Sequence, residues 1–319
     1  MTTTDSTAHA NARPILVAGA AGGEQGSTGF YLTRLLRQHD QPVRAFVHRL
    51  DERSQRLTDL GAEVIAGDLT EPGQVRDAMA GVRRAYFTYP VTDGLLQAAT
   101  AFAAAARSVG VEQVVNLSQW LQPGRWEHPT PHQTRHWLVE HIFDWAQVGV
   151  VHLDAAVFYD NLRAMAARSL DSAGVIAVPW GPPNTAIPFI GAEDVARVAA
   201  AVLTGPLRPP GTVLRLCAGP VTITEIVEAF SQLLGRPVSY VELTDQQWAD
   251  AATAAGVNAI AVEHLSNLWR FLRTKCQPSE SMEGFVGRDS IEELIGHPPQ
   301  SLSQFLHEHR DQFAEAVTH

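Results

Sequence analysis

The chain has 319 residues, 45% of them hydrophobic, which is enough for one large α/β domain and a smaller companion, since domains run on the order of 100–200 residues. A formal net charge of −10 leaves no basic footprint for nucleic acid or an anionic membrane surface. No stretch approaches the roughly 18 apolar residues of a membrane span, and two cysteines, Cys217 and Cys276, lie outside any zinc or disulfide spacing. The expected setting is therefore cytoplasmic with reduced thiols, and the expected partner is a small hydrophobic molecule, with a homodimer left open.

Residues 1–13 are polar, lack the apolar run of a signal peptide and read as a disordered tail. Short β-branched runs then alternate with helical patterns. Strands are predicted at Ile15–Ala18, Val43–Val47, Glu63–Ala66, Ala85–Tyr89, Gln113–Leu117 and Val150–Ala155. Helices are predicted from about Thr28 to Gln38, Asp51 to Leu60, Glu71 to Met79, Leu95 to Val109 and His132 to Val148. Six strands with right-handed crossovers make a doubly wound parallel Rossmann sheet over 14–160. Beyond Asp160 come a helix (Leu162–Leu170), a Pro/Gly-rich stretch (Val178–Pro188) and an Ala/Val-rich helix (Ala192–Leu203). The segment 189–205 is expected to pack back on the sheet. Segments 161–188 and 206–319 are expected to form the smaller, substrate-binding α/β portion.

The first strand runs straight into GAAGGEQGSTG (Gly19–Gly29), and apolar residues at helical spacing follow. Glycine belongs there because the backbone must turn tightly and admit a pyrophosphate without a Cβ in the way. The N–H groups and positive dipole end of the next helix would then hold the phosphates. Gly19, Gly22 and Gly26 are the expected contacts, while Ser27 and Thr28 would either cap the helix or donate hydroxyls. The spacing is enlarged relative to the strict pattern, with Gln25 where a glycine is usual. At the end of the second strand stand His48 and Arg49, basic where an acid would select NAD, so NADP(H) is the preferred cofactor and NAD(H) the alternative. Asp68, followed by Leu69, can accept from an adenine amino group or can cap a helix.

These segments, together with VRAFVHR, GAEVIAGDL, AYFTYP, VVNLS, HWLVEHIFDWAQVGVVHLDAAVFYDNL and PFIGAEDVARVAAAVL, resemble the NmrA-like branch of the atypical short-chain dehydrogenase/reductases over roughly Pro14 to Thr204. The paired His136/Glu140 and Phe158/Asn161 spacings add to the likeness. The resemblance implies a Rossmann domain with a small C-terminal domain, NADP or NAD, and either reduction of quinones, dyes, imines or enones or a redox-sensing regulatory role. One departure matters. Short-chain dehydrogenases use Tyr-x-x-x-Lys to protonate the product, but Lys275 is the single lysine and position 271 is Phe271.

A proton donor must therefore be sought elsewhere. Ser118 falls at the carboxyl edge of the fifth strand, where the nicotinamide would lie, or it merely ends the strand. Tyr89 ends the fourth strand, as a contact to cofactor or substrate or as a core aromatic. His132, His136 and Glu140 recur every four residues, so they share a helix face. They can form a histidine donor oriented by a carboxylate, a structural hydrogen bond, or, with His128, a metal site, for which the sequence holds no signature. His136 is also a candidate for the cofactor ribose. By resemblance Phe158, Tyr159 and Asn161 pass the nicotinamide, and Tyr159 is a second phenol able to protonate a product. Trp120, Trp126, Trp137, Trp145 and Trp180 suggest an aromatic-lined pocket, with ordinary core the alternative, above all for Trp137 and Trp145.

The expectation is an NADPH-dependent reductase for a hydrophobic ketone, enone or quinone. The alternatives are a non-catalytic NAD(P) sensor and a redox-neutral isomerase on the same scaffold.

Overall fold

The computed structural model describes residues 13–22, 27–120, 128–162, 170, 174–275 and 288–316. The Leu162–Leu170 helix falls largely outside them, as do Gly26, Trp126 and Cys276. The described residues divide into two compact units. The first comprises the residues up to Gln119 with Arg135–Asp154 and Val195–Leu214; the second comprises Trp120–Thr134, Ala155–Asp194 and Arg215 onward.

The first unit is built on strands β1 (Ile15–Ala18), β2 (Val43–Val47), β3 (Glu63–Ala66), β4 (Arg84–Phe87), β5 (Gln113–Gln119), β6 (Val151–Ala155) and β10 (Thr212–Leu216). They form one seven-stranded sheet in the order β10-β6-β5-β4-β1-β2-β3. Ile15 pairs with Val43 on one side and Arg84 on the other, both in parallel, and β2–β3 and β4–β5 are parallel as well. Strand order reverses at β1, so the β1–β4 gap is the topological switch point where open α/β sheets bind ligands. Every residue of β1 is buried, as expected of a strand covered on both faces. Edge strand β3 is half exposed, and its register is tied by Arg44 Nε to Glu63 Oε2 at 2.9 Å.

The crossover helices are α1 (Thr28–Gln38), α2 (Glu52–Asp59), α3 (Pro72–Met79), α4 (Leu95–Val109) and α5 (Pro131–Ala146). Strand β4 ends two residues before the expected Tyr89, which precedes Pro90, whose missing N–H cannot continue the ladder. Helix α5 begins at Pro131, whose ring suits a first helical position, and stops at Gln147, which adopts a left-handed φ of 56°. Alanine packs the inner face of α4 closely, and Phe87, Phe102 and Phe143 meet with ring centroids 5.0–6.2 Å apart. Helix α6 (Ala192–Thr204) has its C-terminal carbonyls bound by a buried guanidinium. Arg84 Nη1 donates to Val202, Leu203 and Gly205 at 3.1, 2.9 and 2.7 Å.

The second unit contains a three-stranded sheet in the order β11-β9-β7 (Gly219–Thr222, Ala186–Ile190, Val157–Phe158) and a parallel pair β12–β8 (Ser239–Glu242, Val175–Val178). Helices α7 (Ile223–Leu234), α8 (Asp245–Ala254), α9 (Ala259–Lys275), α10 (Arg288–Ile295), α11 (Leu302–Glu308) and α12 (Arg310–Ala316) complete it. Three of these start at reciprocal capping boxes, Thr222/Glu225, Thr244/Gln247 and Ser301/Gln304, each of which satisfies two helix-end donors. Its core gathers Tyr159, Trp180, Phe189, Phe230, Trp269, Phe305 and Phe313.

Removing the Arg84 side chain strands three carbonyls at once. Arg84→Met is expected to lower unfolding free energy by about 2–4 kcal/mol, measured from the denaturant midpoint. A loss below about 0.5 kcal/mol would show that water replaces the guanidinium freely.

Candidate functional site: the carboxyl edge of the seven-stranded sheet

Between β1 and α1 the chain turns at Gly19 (φ 65°) and Gly22 (φ 71°). A Cβ on Gly19 would lie 2.6 Å from Cγ2 of Thr88, just beyond β4, and one on Gly29 would lie 2.5 Å from the Gly19 carbonyl oxygen. The turn is therefore wedged into the switch point, and α1 leans on it so closely that its second residue must be glycine. Gly29 was visible at the end of the loop but was not singled out, because its need is set by a contact ten residues back in the chain.

The N-terminus of α1 is suited to an anion. Ser27 occupies the N-cap without a side-chain cap hydrogen bond, and the first turn holds no acid. Helix N-termini present N–H groups without helical acceptors, so a phosphate fits. Thr28 is buried and accepts a hydrogen bond at 3.0 Å from the wholly buried Tyr86, whose ionisation is driven up by desolvation. Its hydroxyl hydrogen is left able to donate.

At the end of β2, His48 and Arg49 are exposed. Arg49 lies 3.6 Å from Asp51 and Arg53 2.8 Å from it, and Arg53 Nη1 also donates to the Gly22 carbonyl at 3.3 Å. The Arg53 guanidinium holds the Asp51 carboxyl down to about 2. Two cations thus stand around one carboxylate beside the glycine turn. Sequence reasoning stopped at Arg49 and missed Arg53. The signal was the Asp51-x-x-Ser54 cap, which fixes the start of α2 and turns its first residues toward the loop.

Asp68 Oδ1 accepts from the backbone N–H and the hydroxyl of Thr70 at 2.8 and 2.7 Å, so it caps the turn before α3 rather than the helix, whose N-cap is Glu71. These bonds hold its carboxyl below the usual range, with the His48 charge a smaller contributor. Leu69 packs against the core of the unit. Tyr89 donates to the Asp93 carbonyl at 3.1 Å, and burial, then the Asp68 charge, raises its ionisation.

Ser118 is the penultimate residue of β5 and is buried. Its hydroxyl donates to Glu140 Oε1 at 2.5 Å. Glu140, on α5, is also hydrogen bonded to the carboxyl of Asp154 at the end of β6. Desolvation first, then the Asp154 charge, pushes Glu140 up to about 8, against a smaller opposing pull from His152. Buried His152 is held by Asn116 at 3.1 Å and by Asp144 at 3.4 Å. The Glu140–Asp154 pairing was missed because Asp154 lies inside an apolar strand, where spacing gives no sign of a partner.

The His132, His136 and Glu140 stripe serves separate environments. His132 belongs to the second unit, edge-on to His264 with centroids 5.0 Å apart, and Thr130 Oγ1 meets His264 Nδ1 at 2.8 Å. Complete burial, then the neighbouring His132, lowers His264 to about 3, so it stays neutral. His136 is buried one turn before Glu140. Among the described residues no group of three or more His, Cys, Asp or Glu is arranged to hold a metal ion.

In the second unit Tyr159 is stacked between Phe189 and Phe305 at 5.1 and 5.4 Å, an apolar sandwich in the core. Phe158 pairs with Ile190 across β7–β9, and Asn161 is half-buried. Trp180 sits in that core 5.8 Å from Trp269. The alternative of ordinary core fails for Trp145, whose side chain is 71% exposed, and Trp137 is half-buried with its ring tilted at 46° to that of His141, centroids 4.3 Å apart.

Comparison with known proteins gives the family and the fold. The chain is 27% identical over 301 residues to an NAD(P)H azoreductase of Xenophilus azovorans, covering 92% of this chain and 98% of that one. Among solved structures, an NADPH-dependent quinone oxidoreductase of Escherichia coli complexed with NADPH superposes with a TM-score of 0.76 at 20% identity, over 92% of this chain and 99% of that one. The negative transcriptional regulator NmrA superposes with a TM-score of 0.75 at 16% identity, over 96% and 99% of the two chains. The model of the NmrA-like family matches residues 11–275, most of the chain, and the protein belongs to that family.

Proposed function

We propose that this protein is an NADP(H)-dependent reductase that delivers hydride to a hydrophobic, aromatic acceptor such as a quinone, enone, aryl ketone or azo compound. The observation that carries the reading is the glycine turn wedged at the switch point beside an uncapped, acid-free helix N-terminus. The azoreductase and the quinone oxidoreductase supply the reaction class.

Gly19, Gly22 and Gly29 would let the pyrophosphate approach the backbone, and the first turn of α1 would hold it, with Ser27 and Thr28 as hydroxyl donors. Arg49 and Arg53 would bind the ribose 2′-phosphate as a pair of guanidinium forks. Asp68 and Tyr89 border the adenine end, and Ser118 stands where β5 meets the reacting edge. When bound, the nicotinamide supplies the hydride; the chain contributes orientation, exclusion of water and a proton. Lys275 ends α9 with Phe271 one turn before it, so the usual Tyr-Lys donor has no counterpart.

A second reading, a dinucleotide sensor without turnover, is favoured by the near-equal superposition of the transcriptional regulator. Loss of reduced-nicotinamide absorbance against a panel of quinones, aryl ketones and azo dyes separates the two. Steady oxidation supports the reductase, and tight binding with no turnover across the panel supports the sensor.

Two substitutions test the cofactor site. Arg53→Ala is expected to weaken NADPH about tenfold, by roughly 1.5 kcal/mol, with little effect on NADH; parallel losses for both would remove Arg53 from the 2′-phosphate site. Gly29→Ala drives a Cβ into the Gly19 carbonyl and is expected to weaken both dinucleotides by on the order of tenfold or more. Unchanged binding in calorimetric titration would mean that the turn relaxes without affecting the phosphate.

A further inference from the structure

Two buried polar groups, Ser118 and Asp154, and the half-buried Glu140 between them form a line in the first unit that the phosphate-binding end of the cofactor site does not use. Ser118 at the end of β5 is bonded to Glu140 on α5, which is bonded in turn to Asp154 at the end of β6. Ser118 and Asp154 are 2% and 3% exposed. Two carboxyl groups in contact, one buried in the sheet and the other half-buried on the helix above it, cannot both ionise without a penalty, so the pair keeps a proton to higher pH than a lone carboxyl would. The outer end of that line is the hydroxyl at the sheet edge.

We propose that Glu140 is the stored acid of this protein and that Ser118 passes its proton to the substrate, with Asp154 and His152 as positioning residues. The relay rests on the reductase reading and replaces the missing Tyr-Lys donor. In the reaction, hydride adds to one atom of the acceptor double bond, which gains two electrons as the dinucleotide loses them. The adjoining atom is left as an anion. The Ser118 O–H turns from Glu140 to that anion and breaks as the new N–H or O–H bond forms. The Glu140 O–H breaks in the same movement to restore the serine hydroxyl, and the carboxylate left behind regains its proton from solvent. Side-chain hydroxyls rotate freely enough for that exchange of donor and acceptor roles.

The groups facing Glu140 set the sign of the pH dependence. Ser118 faces it from β5, and Asp154 and His152 from β6. On its own helix His136 precedes it by a turn, and Asp144 follows by a turn and holds His152. Desolvation and Asp154 outweigh His152, so the acid is protonated at neutral pH, and relay-dependent turnover is expected to fall as pH rises past about 8.

The relay also predicts which acceptors need it. Hydride addition to an azo bond or an aryl ketone leaves a strongly basic nitrogen anion or alkoxide, whereas addition to a quinone leaves a weakly basic hydroquinone monoanion. Positioned acids contribute on the order of 10²–10⁴ in rate. In Glu140→Gln the ratio of kcat on an azo dye or aryl ketone to kcat on a quinone is expected to fall about 100-fold, with the solvent isotope effect on the basic-anion substrates altered. Ser118→Ala, which keeps the helix contact surface, should lower the same ratio and serves if Glu140→Gln folds poorly.

An independent readout needs no cofactor. The infrared carbonyl band of a protonated carboxylic acid should persist in the dinucleotide-free protein up to about pH 8 and vanish in Glu140→Gln. Equal losses on both substrate classes, or absence of that band at neutral pH, would overturn the relay. Wild-type protein that reduces quinones alone would overturn the relay and leave the reductase standing. Wild-type protein that reduces neither class would remove the reductase and the relay with it, whatever the band shows.

Discussion

The first unit depends on one close contact, the approach of α1 to the turn that follows β1. Gly29 leaves no room for a side chain against the Gly19 carbonyl, and Gly19 leaves none against Thr88 beyond β4. This interlock brings a helix N-terminus to the point where strand order reverses. It also orders what lies nearby. Tyr86 of β4 spends its hydroxyl on Thr28, and Arg53 at the start of α2 is held to the Gly22 carbonyl. Any larger residue at Gly29 would displace the helix dipole from the place where a phosphate would sit.

Much of this was legible in the sequence because it is local. The order of strands and helices follows from hydrophobic periodicity, and β1, β2 and β3 fall where alternation and β-branching place them. The glycine turn is a contiguous string whose purpose can be read from backbone freedom alone. What stayed hidden depends on contacts between residues far apart in the chain. Arg84 reads as one of a basic pair in a loop-to-strand junction, and nothing local says that it binds carbonyls more than a hundred positions later. Asp154 sits in an apolar run, so its partner Glu140 on the preceding helix cannot be inferred from spacing.

The four-residue stripe on α5 shows how far periodicity reaches. It places His132, His136 and Glu140 on one face, which is correct as helix geometry. It cannot say that the face passes from one compact unit to the other, so that His132 meets His264 while Glu140 meets Ser118. Aromatic residues mislead for a related reason. Tyr159 looks like a spare phenol near the end of a strand, yet two phenylalanines from distant segments enclose it. Trp145 looks like core and is mostly exposed.

In the proposed reaction, cofactor binding and proton supply would rest on different parts of the first unit, one on backbone at β1 and α1, the other on side chains from β5, α5 and β6. Dinucleotide binding with a preference for the phosphorylated ribose is the claim on which the account of the cofactor site stands, since the reductase and the sensor both require the dinucleotide and Arg49 and Arg53 are assigned to its 2′-phosphate. Fluorescence titration of the wild-type protein with NADPH and NADH tests it most directly. The account predicts saturable binding of both, with NADPH tighter by on the order of tenfold or more. Absence of binding, or NADH the tighter ligand, would contradict it.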